Sequence, residues 1–384
     1  MKIAFITGSL EAGKTGVGDY SLLLADACRN KGVTCTTLGL HDPDVNGDEE
    51  KPDSLRISSA LPWKQRLSKA KSWVELFNPD WISLQFVPYA FHPKGLFRDF
   101  LNVFPKILER RKLQVMFHEI WIGEFPGAPW SQRICGSLQK RLVRKLLRAT
   151  CPRLVNHSCA GAEVRLGRAG IQSKHLPIFG NVPPIDKLDP TRSFDLLSKA
   201  GLALSAEERS DWWILGFFGS IHEDWQVESL APILNAAKQL GKQVAILSLG
   251  RLGEAKRKWE KISEHHRDEV LWAKLGELDP QTMSQCLRGL DYGLTSTPWD
   301  LVGKSGAIAA MLEHGVPVLV SVEGGTRNAP LVIGDPYRHL IHRTNDALRD
   351  TLVSGLPKTS PREGLGIVAE LFLHRLAEHE KQAA

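Results

Sequence analysis

Residues 3–32, IAFITGSLEAGKTGVGDYSLLLADACRNKG, decide the fold. Ile3, Ala4, Phe5 and Ile6 form a short apolar run that stops at Gly8 and reads as a strand. From about Asp19 to Asn30 the spacing predicts an amphipathic helix, and Gly32 stands where a helix ends. A second strand, VTCTTLGL (33–40), follows. Strand, glycine turn, helix, strand is the unit of a parallel sheet covered on both faces. The alternation continues through WISLQFV (81–87), a helix near 98–110, LQVMFHE (113–119), a basic helix over about 130–148 and RLVNHS (153–158). Residues 41–60, acidic and rich in turn formers, read as a surface loop.

HLPIFGNVPPI (175–185) interrupts the pattern with three prolines and a glycine, and the interdomain linker is expected there. The pattern then restarts with WWILGFFGS (212–220), a helix over 226–240 and QVAILSLG (243–250). LWAKLGEL (271–278), YGLTST (292–297) and VPVLVSV (316–322) supply further strands. The expected fold class is α/β, with two doubly wound, Rossmann-like domains facing a cleft. The expected domains are 1–178 and 179–384, the final helix being an element able to pack back on the first.

Composition bounds the function. A chain of 384 residues is two domains' worth, and 42% hydrophobic with 24% charged residues excludes disorder, collagen and coiled coil. No apolar run approaches the roughly 18–20 residues that span a bilayer. The opening MKIAFITGS lacks the basic region and long apolar run of a secretory signal, so a cytoplasmic protein is expected. The six cysteines show no C-x-x-C pair and read as reduced and structural. No metal and no cofactor is expected. Residues 1–178 hold 26 Lys+Arg against 16 Asp+Glu, a net of +10, while the remainder holds 23 against 27, a net of −4. The basic excess belongs to one half, which argues for an anionic partner there, though not a nucleic acid.

Gly8-Ser9-Leu10-Glu11-Ala12-Gly13-Lys14-Thr15 matches the phosphate-loop pattern G-x-x-x-x-G-K-S/T. A phosphate loop runs straight into a helix, whereas this one is expected to continue through Gly16-Val17-Gly18 first. Nor does WISLQFV or LQVMFHE end in the metal-holding Asp that such a site needs. A P-loop NTPase through residues 8–15 is therefore the lesser reading. A glycine-rich turn at the end of a doubly wound sheet is the better one.

GSLEAGKTGVGDYSLLLADACRNKG resembles the first loop and helix of family 4 glycosyltransferases, two-domain enzymes of the GT-B fold. SLQFVPYAFHPKGL (83–96), MFHEIWIGE (116–124), IFGNVP (178–183) and SGAIAAMLEHGVPVLVS (305–321) agree with it in order. The resemblance implies sugar transfer from a nucleotide-sugar donor with retention and without a metal. The acceptor would be a sugar, a lipid-linked sugar or another small molecule bound by the first domain, with the donor bound by the second. It places Gly16 and Gly18 over the sugar diphosphate, with Asp19, Glu119 and Trp121 on the acceptor side and His118 beside the reacting sugar. In the second domain it points to Gly219, Ser220 and His222, to the backbone of Gly276, Glu277 and Leu278 near the base, and to Gly303, Lys304, Ser305 and Gly306 at the diphosphate.

The chemistry asks for the same things. A diphosphate leaving group carries two or more negative charges, which helix N-termini and cations stabilise. Lys304 before the helix at 305–314 is the best such cation, and Arg251 is the candidate for one that the 219–225 loop lacks. The departure is the family's pair of glutamates, whose positions here hold Val302 and Ala310, with Asp300 and Glu313 as the nearest substitutes. That leaves open a GT-B protein that binds a nucleotide sugar or glycan without catalysis. Trp121, Trp225 and Trp299 fall near candidate loops and are expected to stack on sugar or base. Finally, Arg133, Lys140, Arg141, Arg144, Lys145 and Arg148 line one helix, with no Asp or Glu between Glu124 and Glu163. This predicts peripheral contact of residues 133–148 with an anionic membrane at its inner face.

Overall fold

The run Ile3–Ile6 is wholly apolar and buried because both faces of its strand are covered, as a doubly covered parallel sheet demands. The computed structural model describes residues 1–381 except 126, 186, 223–224 and 327–328, and at 190, 192–194, 254, 346 and 381 it describes the backbone alone. The chain divides into two units: Met1–Pro177 with Leu365–Ala384, and Ile178–Gly364.

Among the described residues, the first unit carries β1 (Lys2–Thr7), β2 (Thr34–Asp42), β3 (Glu49–Lys51), β4 (Ser54–Ser58), β5 (Trp81–Phe86), β6 (Lys112–Phe117), β7 (Leu154–His157) and β8 (Lys174–His175). They lie in the order β3-β4-β2-β1-β5-β6-β7-β8, all parallel except the β3–β4 pair. The helix Leu365–Lys381 packs against the helix Gly16–Asn30. Phe372 meets Phe5, and Glu380 accepts from the Trp81 indole at 3.1 Å. In the second unit β9 (Trp212–Phe218), β10 (Gln243–Leu249), β11 (Leu271–Gly276), β12 (Tyr292–Thr295), β13 (Val318–Val320) and β14 (Ile341–Arg343) form a parallel sheet ordered β11-β10-β9-β12-β13-β14. Two buried clusters, one containing Ile214, Leu247 and Val318 and the other Leu215, Ile246 and Leu319, fill its opposite faces. The expected α/β class with two doubly wound sheets is what the chain forms.

Two expectations are corrected. Residues 41–60 are not only a loop: they contain β3 and β4, where Leu55 and Ile57 are buried against the sheet at alternate positions. The first helix starts at Gly16, not near Asp19, because the Thr15 hydroxyl accepts from the Gly18 amide at 3.0 Å and caps it.

Candidate functional site

In a doubly wound sheet, ligands gather at the carboxyl ends of the strands where the strand order reverses. That point lies between β1 and β5 in the first unit and between β9 and β12 in the second.

In the first unit, the loop after β1 meets the turn after β5 so closely that a Cβ on Gly8 would lie 2.7 Å from the Ala90 Cβ. Beside them, His118 follows β6, buried, its amide bonded to the Phe86 carbonyl at 3.1 Å. Its Nε2 lies 2.8 Å from Gln85 Oε1, and its ring meets Tyr20 edge-on at 4.8 Å. Gly16 is open, with nothing within 4 Å of a Cβ built there. Gly18 is packed: a Cβ would stand 2.8 Å from the Ser9 carbonyl oxygen. Asp19 accepts from the Gly13 amide at 2.8 Å, so its carboxylate closes the loop. Glu119 is half-buried next to His118. Trp121 is corrected from a stacking platform to a core residue. It is 1% exposed, beneath Lys140, and its carbonyl accepts from Arg165 at 2.9 Å.

Contrary to expectation, residues 8–15 run straight into the helix Gly16–Asn30. What speaks against phosphate is where the amides go. Leu10 N donates to Asp42 at 3.0 Å, Glu11 N to Ser9 Oγ at 3.2 Å, Gly13 N to Asp19, and Lys14 N to the Glu11 carbonyl at 3.2 Å. Thr15 is the helix cap, and two carboxylates already occupy the anion's place. Asp42 was missed from sequence. Burial alone would raise its pKa, but the guanidinium of Arg56, the amides of Leu10 and Asp44 and the Ser9 hydroxyl hold it below the ordinary carboxylate range.

In the second unit, three strands end in glycines with left-handed backbone: Gly219 (φ 83°), Gly250 (φ 80°) and Gly276 (φ 67°). Gly219 N donates to Leu249 O at 2.8 Å and Gly250 N to Gly276 O at 2.7 Å, which fixes the three turns side by side. A side chain at Gly219 would first meet the Ala307 Cβ at 3.9 Å, so this turn faces the start of the helix Gly306–Glu313. Ser305 caps that helix through the Ile308 amide at 3.3 Å. Gly303 and Lys304 close the turn that leads into it. The loop after β9 is tied to the one after β12 by the His222 amide donating to Ser296 Oγ at 2.8 Å. Ser220 and His222 are exposed. Glu223 and Asp224 of this loop lie outside the described residues.

Other second-unit candidates settle differently. Arg251 is paired with Glu277 at 2.6 Å, both of them exposed, so its charge is shared. Leu278 is half-buried against the core. Trp225 is buried and donates to Ser321 Oγ at 3.1 Å, while Trp299 donates to the Ala329 carbonyl at 3.2 Å with Arg343 over its ring. Buried, Trp225 offers no stacking face of the kind expected, whereas Trp299 is half-buried. Asp300 and Glu313 are corrected as substitutes for the glutamate pair. Asp300 is buried and accepts from the Thr326 amide at 3.0 Å. A Cβ on Gly324 would fall 1.8 Å from its Oδ1, so a loop closes over the carboxylate. Glu313 is 1% exposed and accepts from the Gly180 amide at 2.8 Å and from that of Gly364.

No protein-family profile and no curated protein matches the chain. Solved structures do. Anabaena HepE in complex with UDP and glucose is 15% identical with a TM-score of 0.59, over 98% of this chain and 100% of that one. The fold is that of GT-B glycosyltransferases. The catalytic domain of starch synthase IV from Arabidopsis thaliana, bound to ADP and acarbose, is 14% identical with a TM-score of 0.57, over 96% and 94%. The lipopolysaccharide outer core galactosyltransferase WaaB is 13% identical with a TM-score of 0.52, again over 96% and 94%. Identities this low carry the fold and nothing finer.

Proposed function

We propose that the protein is a glycosyltransferase of the family 4 type, moving a sugar from a nucleotide-sugar donor to an acceptor with retention and without a metal. One observation carries this reading: the turn at Gly219, the capped helix start at Ser305 and Lys304 come together at the strand-order reversal of the second sheet. In transfer, the bond between the anomeric carbon and the diphosphate oxygen breaks as the acceptor oxygen bonds to that carbon from the same face, and the acceptor's proton passes to the departing phosphate oxygen. The electron pair goes to the diphosphate, and the helix amides and Lys304 stabilise it. His118 is the group at the sugar. UDP in HepE and ADP in starch synthase IV fit a nucleoside diphosphate as the part of the donor held here.

The first unit would hold the acceptor, and an anionic membrane surface is the proposed location. No helix among the described residues is long and apolar enough to cross a membrane. The helix Trp130–Thr150 instead exposes Arg141, Arg144, Lys145 and Arg148.

A thermal-shift panel of nucleoside diphosphates and their sugars tests the reading, since a ligand of the folded state raises the melting temperature. At least one nucleotide sugar is expected to do so and then to yield free or transferred sugar. Lys304→Ala and His118→Ala should each cut that turnover by roughly 10–1000-fold. Binding without turnover would make the protein a nucleotide-sugar binder. Phosphate release from ATP or GTP that vanishes in Lys14→Ala would restore the NTPase.

A further inference from the structure

Four polar side chains inside the first sheet bond to one another, although covered parallel strands favour apolar residues: Ser83 and Gln85 on β5, Gln114 on β6 and Asn156 on β7, all fully buried. Residues 83 and 85 share a face, Ser83 pairs with Gln114 and Asn156 with Lys174 in register, and the side chains join into one line. His118 Nε2 lies 2.8 Å from Gln85 Oε1, Gln85 Nε2 lies 2.7 Å from Ser83 Oγ, and Ser83 Oγ lies 2.6 Å from Gln114 Oε1. Gln114 Nε2 then lies 2.9 Å from Asn156 Oδ1, and Asn156 Nδ2 lies 3.0 Å from the Lys174 carbonyl oxygen.

The far end sets the direction of the whole line. A backbone carbonyl only accepts, so Asn156 turns its NH2 to Lys174 and its oxygen to Gln114. Gln114 must therefore donate to Asn156 and present its own oxygen to Ser83. The Ser83 hydroxyl spends its one proton there and accepts from Gln85, whose oxygen is left facing His118. An oxygen that only accepts requires N–H on the imidazole. Turning any one amide would set donor against donor, or acceptor against acceptor, among side chains that are all fully buried.

The geometry points to Gln85, Ser83, Gln114 and Asn156 as positioning residues that hold His118 in the Nε2–H tautomer. The inference rests on the reading of His118 as the group at the sugar, and it deepens that reading. With its proton fixed on Nε2, neutral His118 meets a hydroxyl through the Nδ1 lone pair and so accepts a hydrogen bond from it. Of the two possible actions of a strand-end histidine, donating to a sugar hydroxyl or drawing on one, the line selects the second.

Nitrogen NMR of protein labelled in its histidine rings tests this without any substrate, the His118 signals being assigned by their loss in His118→Asn. Above the pH at which the ring titrates, the wild type is expected to show a protonated Nε2 and a bare Nδ1. Ser83→Ala does not touch the ring but removes the partner that orients Gln85. Both His118 nitrogens should then shift toward the tautomer mixture of a free imidazole, and Gln85→Leu should do the same. A wild-type ring protonated on Nδ1, or ring nitrogens that stay in place in the folded Ser83→Ala variant, would overturn the proposal. Turnover is a separate readout: normal activity of His118→Ala would remove the histidine from the sugar while leaving its tautomer as found.

Discussion

Glu313 shows how little a single acidic letter reveals. Burial pushes its pKa up to about 8 despite the amides of Gly180 and Gly364, so the folded chain keeps a proton at neutral pH that the unfolded chain gives up. The folded value lies above the unfolded one, so the sign is set. Stability is unaffected below the ordinary value of 4.5, falls as pH rises from there to about 8, and then levels off. The slope within that window is at most about 1.4 kcal/mol per pH unit. Glu313→Gln keeps an oxygen for both amides and removes the titration. Its melting temperature should therefore fall less than that of the wild type between pH 6 and pH 9; parallel curves would assign the loss to another group. His118 was legible because a histidine closing an apolar strand at a sheet edge is a visible pattern. Asp300 and Glu313 were misread because nearness in sequence to two missing glutamates says nothing about what covers a carboxylate. Here Gly324 and Gly364 do so by lacking side chains, since a Cβ at either would overlap the acid.

Among the elements, the helix Trp130–Thr150 carries the clearest surface signal. Its basic run was readable in the sequence; which apolar residues share the outward face was not. In the fold Trp130 (78% exposed) and Ile134 (54%) lie on the same outward line as Arg141, Lys145 and Arg148, at spacings of three, four or their sum. Lys140 leaves the cationic set, paired with Glu124 at 2.7 Å. An apolar end followed by a basic body suits an anionic lipid surface, where each Lys or Arg is worth about 1 kcal/mol, screened beyond roughly 8–10 Å. Binding to anionic liposomes should appear at low salt and decline steeply by a few hundred millimolar. It should be abolished when Arg141, Arg144 and Lys145 become Glu. Trp130→Ala should weaken it at every salt concentration, because burying a ring in the interface is not screened. Indifference of the wild type to such liposomes at low salt would leave a soluble acceptor. The strands that sequence missed were short or at edges. β3 and β4 hide in an acidic stretch because only Leu55 and Ile57 reach the core.

Across the whole molecule, the repeated strand–glycine–helix pattern made the fold class readable, since covered parallel strands must be apolar and their turns need glycine. What the pattern could not carry was polar content inside those strands. Ser83, Gln85, Gln114 and Asn156 look like imperfections in apolar runs, and only their alignment across β5, β6 and β7 gives them a common purpose. The return of Leu365–Lys381 to the first unit makes the second an insertion between Pro177 and Leu365.

Gly180 and Gly364, close to the two ends of that insertion, donate to the same Glu313 carboxyl. The segment therefore begins and finishes at one spot, as an excisable cassette does, and among the described residues its core clusters draw on none outside 182–356. Expressed alone, residues 178–364 should give a cooperative melting transition, and any nucleotide sugar that stabilises the full chain through the second unit alone should stabilise the fragment too. A fragment without a transition would mean that the cassette borrows its order from its host. If it melts cooperatively, donor preference becomes a portable trait, one that can be exchanged between chains at two cuts lying side by side.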